Sequence, residues 1–137
     1  MHNINLVKSL MVLSVLDSQR KIAICCNSIS DVHVLGEHGY RNCIHQLASQ
    51  LSLTAFMALR QAEVTVLVYF TNTSNVSFDI EEAEYFSTQC GIRLCEVNLP
   101  FSFFEVDTWD GFQWRLFDKR LTSALKILGC RNERYQA

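Results

Sequence analysis

The chain has 137 residues, of which 49% are hydrophobic, 19% charged and 11% aromatic, and its formal net charge is −2. That length suits one domain, and that composition excludes disordered, collagen-like and low-complexity classes. No global charge excess drives nucleic-acid binding, and no apolar run approaches the roughly 18–20 residues of a membrane span.

The first segment, residues 4–16, is strongly apolar and reads as a mostly buried helix, with a strand through 9–16 as the competing reading. Lys8 and Leu10–Leu16 loosely imitate a signal peptide, but Ser14 interrupts the run and no small-residue cleavage site precedes Asp17. An intracellular, reducing compartment is expected, and the sequons at Asn72 and Asn75 read as loop chemistry. Ile22–Asn27 and Val32–Leu35 read as two short strands of a hairpin, joined by a turn at 28–31. Gly36 and Gly39 mark a loop. Residues 41–62 read as one long helix, because Ile44, Leu47, Ala48, Leu51, Ala55, Ala58 and Ala62 recur at three- and four-residue steps.

Val64–Phe70 is an uninterrupted apolar run and predicts a central strand covered on both faces. Thr71–Ser77 is a polar loop. A helix follows over about 78–90, with acids near its start and Gly91 placed to end it in a left-handed conformation. Ile92–Leu99 predicts the next strand, and 101–110 an aromatic, acidic turn. Phe112–Phe117 alternates like an edge strand, and Asp118 would cap a final helix ended by Gly129. The polar tail begins at about 130. This order predicts a single α/β domain over 1–137, three-layered, with a mostly parallel sheet and helices on both faces.

Motifs that carry chemistry are scarce. Neither phosphate-binding glycine loop occurs, nor a nucleophile elbow. His2, His33, His38 and His45 form no helical ligand pair, and the six cysteines include no C-x-x-C, so no metal, cofactor or catalytic residue is assigned. Buried reduced thiols are the expected state of the cysteines. Charge is uneven: residues 76–110 carry eight acids against Arg93 alone, whereas 111–137 carry six bases against Asp118 and Glu133. Two solvated helix faces would explain this, and so would a polar molecule docked between partner proteins. Open α/β sheets bind ligands or partners beyond the carboxyl ends of their strands. The candidate partner-binding residues are therefore Thr71, Asn72, Thr73, Ser74, Phe78, Asn98 and Phe101.

Three stretches, Leu6–Leu35, Ile80–Leu99 and Trp109–Leu128, together resemble a von Willebrand factor A-like domain. Within that superfamily the chain is most similar to the smaller vWA-like subunit of transcription factor IIH. The resemblance implies a non-enzymatic scaffold in the nucleus, acting in transcription initiation and nucleotide-excision repair. It implies a larger vWA/RING-type subunit as partner, with no direct contact to nucleic acid or membrane. The family's first strand, with its metal motif, and its C-terminal zinc module find no counterpart here, so the sheet is expected to be incomplete at the first strand. The alternatives are a small cytosolic α/β enzyme using a thiol or carboxylate, or another vWA-like module such as a proteasomal ubiquitin receptor.

Overall fold

The computed structural model describes residues 22–26, 28–40, 42–45, 53–72, 75–76 and 80–130. The expected helix over 4–16 and the tail from 131 lie outside the described residues. The chain runs β1 (Ile22–Cys26), α1 (Ile29–Glu37), β2 (Cys43–His45), α2 (Leu53–Gln61), β3 (Val66–Asn72), β4 (Asn75–Val76), α3 (Ile80–Gln89), β5 (Arg93–Asn98), a 3-10 turn (Val106–Thr108) and α4 (Gly111–Ile127).

Four strands are parallel, in the order β2–β1–β3–β5. β4 is a two-residue antiparallel return onto Thr71 and Asn72. The register places Ile22 beside Val66 and Ile24 beside Val68 on one side of β3. On the other side Val66 sits beside Arg93 and Thr71 beside Asn98. β3 is thus paired on both edges, as its unbroken apolar sequence requires.

Period two along each strand separates two cores. Ile22, Ile24, Val66, Val68, Phe70, Cys95 and Val97 face α1 and α4, where Val32, Leu35, Phe117, Leu121 and Leu125 are buried. Ala23, Cys25, Leu67 and Tyr69 face α2 and α3, where Ala55, Phe56, Leu59 and Ala83 are buried. Each fully buried aliphatic side chain here contributes roughly 1.5–3 kcal/mol relative to exposure. This is the expected three-layer α/β architecture with helices on both faces of a mostly parallel sheet.

Several local expectations are corrected. Residues 32–35 are helical, so there is no hairpin over 22–35. Ser28 is extended and its side chain accepts the Asp31 N–H at 3.1 Å, which starts α1, while Val32 and Leu35 bury its inner face. Tertiary burial outweighs the strand preference of the valines. The long helix over 41–62 is instead β2 followed by α2: Ile44 belongs to the strand, and residues 46–52 lie outside the described residues. Phe112–Phe117 is no edge strand. α4 is continuous over 17 residues, begun by Asp110, whose side chain accepts the Gln113 N–H while Gln113 accepts the Asp110 N–H. Such a reciprocal box fixes the first helical turn. Asp118 lies mid-helix. Gly91 and Gly129 take positive φ, 70° and 76°, and end α3 and α4 as expected. The expected gap at the first strand is closed, because β1 pairs directly with β3.

Candidate functional site

The chain leaves β1 through α1 toward β2 and returns through α2 to β3 on the opposite side of β1. Connections therefore depart in opposite directions from the carboxyl ends of β1 and β3, where open α/β sheets form their ligand crevice. The rim there is built from Ser28 at the start of α1, Thr71 and Asn72 at the end of β3, and Asn98 at the end of β5.

A polar network occupies the β3–β5 part of this rim. The Thr71 hydroxyl donates to Glu96 Oε2 at 2.8 Å, and Asn98 Nδ2 donates to Thr71 Oγ1 at 3.1 Å. Thr71 is 6% exposed, whereas Glu96 and Asn98 are exposed. The buried hydroxyl thus holds two solvent-facing groups, one carboxylate and one amide, in fixed relation. The backbone below is pinned as well: Leu99 N–H donates to Thr71 O at 2.8 Å, and Arg120 Nη1 on α4 donates to Asn98 O at 2.8 Å.

Tyr69 stands beside Glu96 in the strand register. Its phenol is pushed up to about 12, first by burial and then by the Glu96, Glu84 and Cys95 charges. It stays protonated at neutral pH and remains a hydrogen-bond donor. On the other face, Asp31 is 2% exposed. Its Oδ1 accepts the Val106 N–H at 3.1 Å, and its Oδ2 has no partner among the described residues. That carboxylate anchors the 3-10 turn to α1.

Of the residues expected at the rim, Thr71 and Asn98 are brought together. Asn72 is half-buried and pairs through its backbone with Asn75. Phe101 packs edge-on to Trp109, with ring centroids 5.2 Å apart, against the α1/α4 core. Thr73, Ser74 and Phe78 lie outside the described residues. Glu96 and Arg120 were not anticipated. Glu96 had one available signal: it stands two residues before Asn98 in a predicted strand and so shares its face.

Among the described residues, no three of His, Cys, Asp and Glu are grouped so as to hold a metal ion. None of their helices is long and apolar enough to cross a membrane. Three of the buried thiols are held in the protonated form. Burial, then Cys43, pushes the Cys25 thiol up to about 12; burial also raises Cys26 and Cys95. Such thiols are poor nucleophiles near neutrality.

No family model matches the sequence, and no curated protein matches it. Solved structures do share the fold. A DNA primase domain from Pseudomonas aeruginosa superposes with a TM-score of 0.53 at 16% identity, over 79% of this chain and 35% of that one. The DnaG catalytic core superposes with a TM-score of 0.52 at 14% identity, over 79% of this chain and 36% of that one. At these identities the likeness is one of fold, and the chain spans about a third of the solved chains.

This finding overturns the resemblance to the vWA-like subunit of transcription factor IIH. The expected scaffold role in transcription and nucleotide-excision repair falls with it, as does the ubiquitin-receptor alternative. The expectation of a non-enzyme is corrected on the same finding, because the solved structures that share the fold are a DNA primase domain and the DnaG catalytic core. The physical reason is local. The vWA reading needed a hairpin at 22–35 and a strand at 112–117, and both segments hold helix instead.

Proposed function

We propose that this chain is a DNA primase-like enzyme domain that takes a nucleotide at the carboxyl rim of β3 and β5. The carrying observation is the Thr71–Glu96–Asn98 network at the carboxyl ends of β3 and β5, beside the β1–β3 point where the connections part, in a fold shared with a DNA primase domain and the DnaG catalytic core. Glu96 offers an acceptor for a sugar hydroxyl or a base amine. Asn98 offers both a donor and an acceptor, and Thr71 sets the distance between them. A site that hydrogen-bonds its ligand through such groups rejects analogues lacking the matching hydroxyl.

The test is titration with a fluorescent ribonucleoside triphosphate, followed by incorporation on a single-stranded DNA template with Mg²⁺. Saturable binding is expected, weakened at least tenfold by Glu96→Gln and by Thr71→Val, with incorporation falling in parallel. Absence of nucleotide binding at millimolar concentration, or binding indifferent to both variants, rejects the reading.

A further inference from the structure

The end of the sheet away from the rim brings two thiols and a guanidinium together. Of the six cysteines, five are buried and Cys130, just past the end of α4, is half-buried. Its place is fixed by the turn that closes the helix. Gly129 takes a φ of 76°, and the Cys130 N–H donates to Leu125 O at 2.8 Å. That turn lays Cys130 against the α1/α4 core, of which Cys95 on β5 is a buried member. Arg93 joins the two. It stands two residues before Cys95 and so shares its face of β5. Its guanidinium reaches across to α4, where Nη1 donates to Leu128 O at 3.3 Å and Nη2 to Cys130 Sγ at 3.8 Å. The two thiols also sense each other: after burial, Cys130 is the next influence that pushes the Cys95 thiol up.

We propose that Cys130 and Cys95 form a peroxide-responsive thiol pair, a site of reversible oxidation that staples the end of α4 to β5. Reactive cysteines sit in partly exposed, electropositive surroundings, and Cys130 has both. In the first step the Cys130 sulfur attacks one oxygen of hydrogen peroxide. The O–O bond breaks, the sulfur becomes a sulfenic acid, and the other oxygen leaves as water. The Arg93 guanidinium, already at the sulfur, offers an N–H to the new oxygen. In the second step the Cys95 sulfur attacks the Cys130 sulfur. The S–O bond breaks, the S–S bond forms, and the hydroxyl leaves as water with the Cys95 proton. In sum, two thiols give up two electrons and one peroxide becomes two waters. Burial keeps Cys95 slow toward reagents in solution, so its oxidation runs through Cys130, and being held beside the sulfenic acid replaces a chance encounter. Cys26 and Cys43 lie on adjacent strands but are both buried, so peroxide meets Cys130 first. The site uses none of the rim residues and stands apart from the nucleotide reading.

Titration of the full chain with hydrogen peroxide near neutral pH tests it, with the remaining thiols alkylated under denaturing conditions and the peptides mapped by mass spectrometry. The peptides of Cys95 and Cys130 are expected to appear joined, two hydrogens lighter than their sum, and to separate again with dithiothreitol. Oxidised wild type should melt higher than reduced, because the bond closes a long loop. Cys130→Ser, at a half-buried position, should leave Cys95 reduced at the same dose and abolish the rise in Tm. Cys95→Ala should strand Cys130 as a sulfenic acid that dimedone traps. If Cys95→Ala does not fold, the wild-type map and Cys130→Ser still decide. Arg93→Gln should slow the oxidation several-fold, and an unchanged rate rejects the part given to the guanidinium. The pair is rejected if Cys130 reacts no faster than Cys90, if a bond between Cys26 and Cys43 forms first, or if Cys95→Ala leaves no dimedone adduct. Oxidation of Cys130 in wild type straight to a sulfinic acid, or to a bond between two chains, rejects Cys95 as its partner.

Discussion

The hydroxyl of Tyr40 donates to the carboxylate of Asp118, 78 residues further along the chain. The bond ties the turn after α1 to the middle of α4, inside a ring cluster where Tyr40 also meets Phe117 edge-on at 5.1 Å. Tyr40→Phe keeps the ring and removes the donor from a half-buried carboxylate. A loss of about 1–2 kcal/mol is expected. Asp118→Asn in the Tyr40→Phe background should cost less than in wild type, and urea denaturation of the four proteins measures the coupling.

Asp110 starts α4 through its box with Gln113. Asp110→Ala should cost about 1 kcal/mol, with Asp110→Asn or Asp110→Ser recovering most of it. Because α4 supplies three residues to the core, the loss should appear in global unfolding rather than as fraying alone. A melting curve for Asp110→Ala that overlays wild type would remove the cap from the account of why this helix begins where it does.

Ala58 of α2 is fully buried. Ala58→Glu would bury a carboxylate against apolar neighbours. The cost is expected to be about 3 kcal/mol or more, a fall in Tm on the order of 10 °C. Differential scanning calorimetry checks it.

Alkaline pH should loosen the fold. Burial raises the Cys25 thiol from 9.0 to about 12, and Tyr69 rises from 10.0 to about 12. Both folded values lie above the unfolded ones. Their contribution is therefore complete below about pH 9 and is lost as pH rises toward 12. Each group can steepen the decline by at most about 1.4 kcal/mol per pH unit. Urea midpoints at pH 8, 9, 10 and 11 should fall progressively, and Cys25→Ala should flatten the trend. A parallel slope in that variant would show that Cys25 does not titrate with unfolding.

What the sequence disclosed depended on how many readings each segment allowed. Val64–Phe70 was legible because a strand buried on both faces has no polar side to confuse it, and β3 covers Val66–Asn72. Gly91 and Gly129 were legible because left-handed backbone favours glycine. In 32–35 the valines Val32 and Val34 suited a strand, and only the Ser28 cap and the Val32–Leu35 spacing spoke for α1. In 112–117 an alternation of Phe112, Trp114 and Leu116 coincided with the helical series Phe117, Leu121 and Leu125, and the longer series won. Three residues, Cys43–His45, are too few to show a period at all. At the rim, Thr71 and Asn98 followed from topology. The bond from Thr71 to Glu96 required the β3–β5 register, which no single segment encodes.

β5 pairs only with β3 among the described residues, so its far side is a row of backbone groups another strand could extend. Two arginines fasten α4 to the two ends of β5. Arg93 at its start donates to Leu128 O at 3.3 Å, and Arg120 on the helix donates to Asn98 O at its end. With Arg93 and Glu96 exposed along the strand, an incoming chain would meet charge before it met an open ladder. Exposed charge along β5 thus protects the sheet against edge-to-edge aggregation.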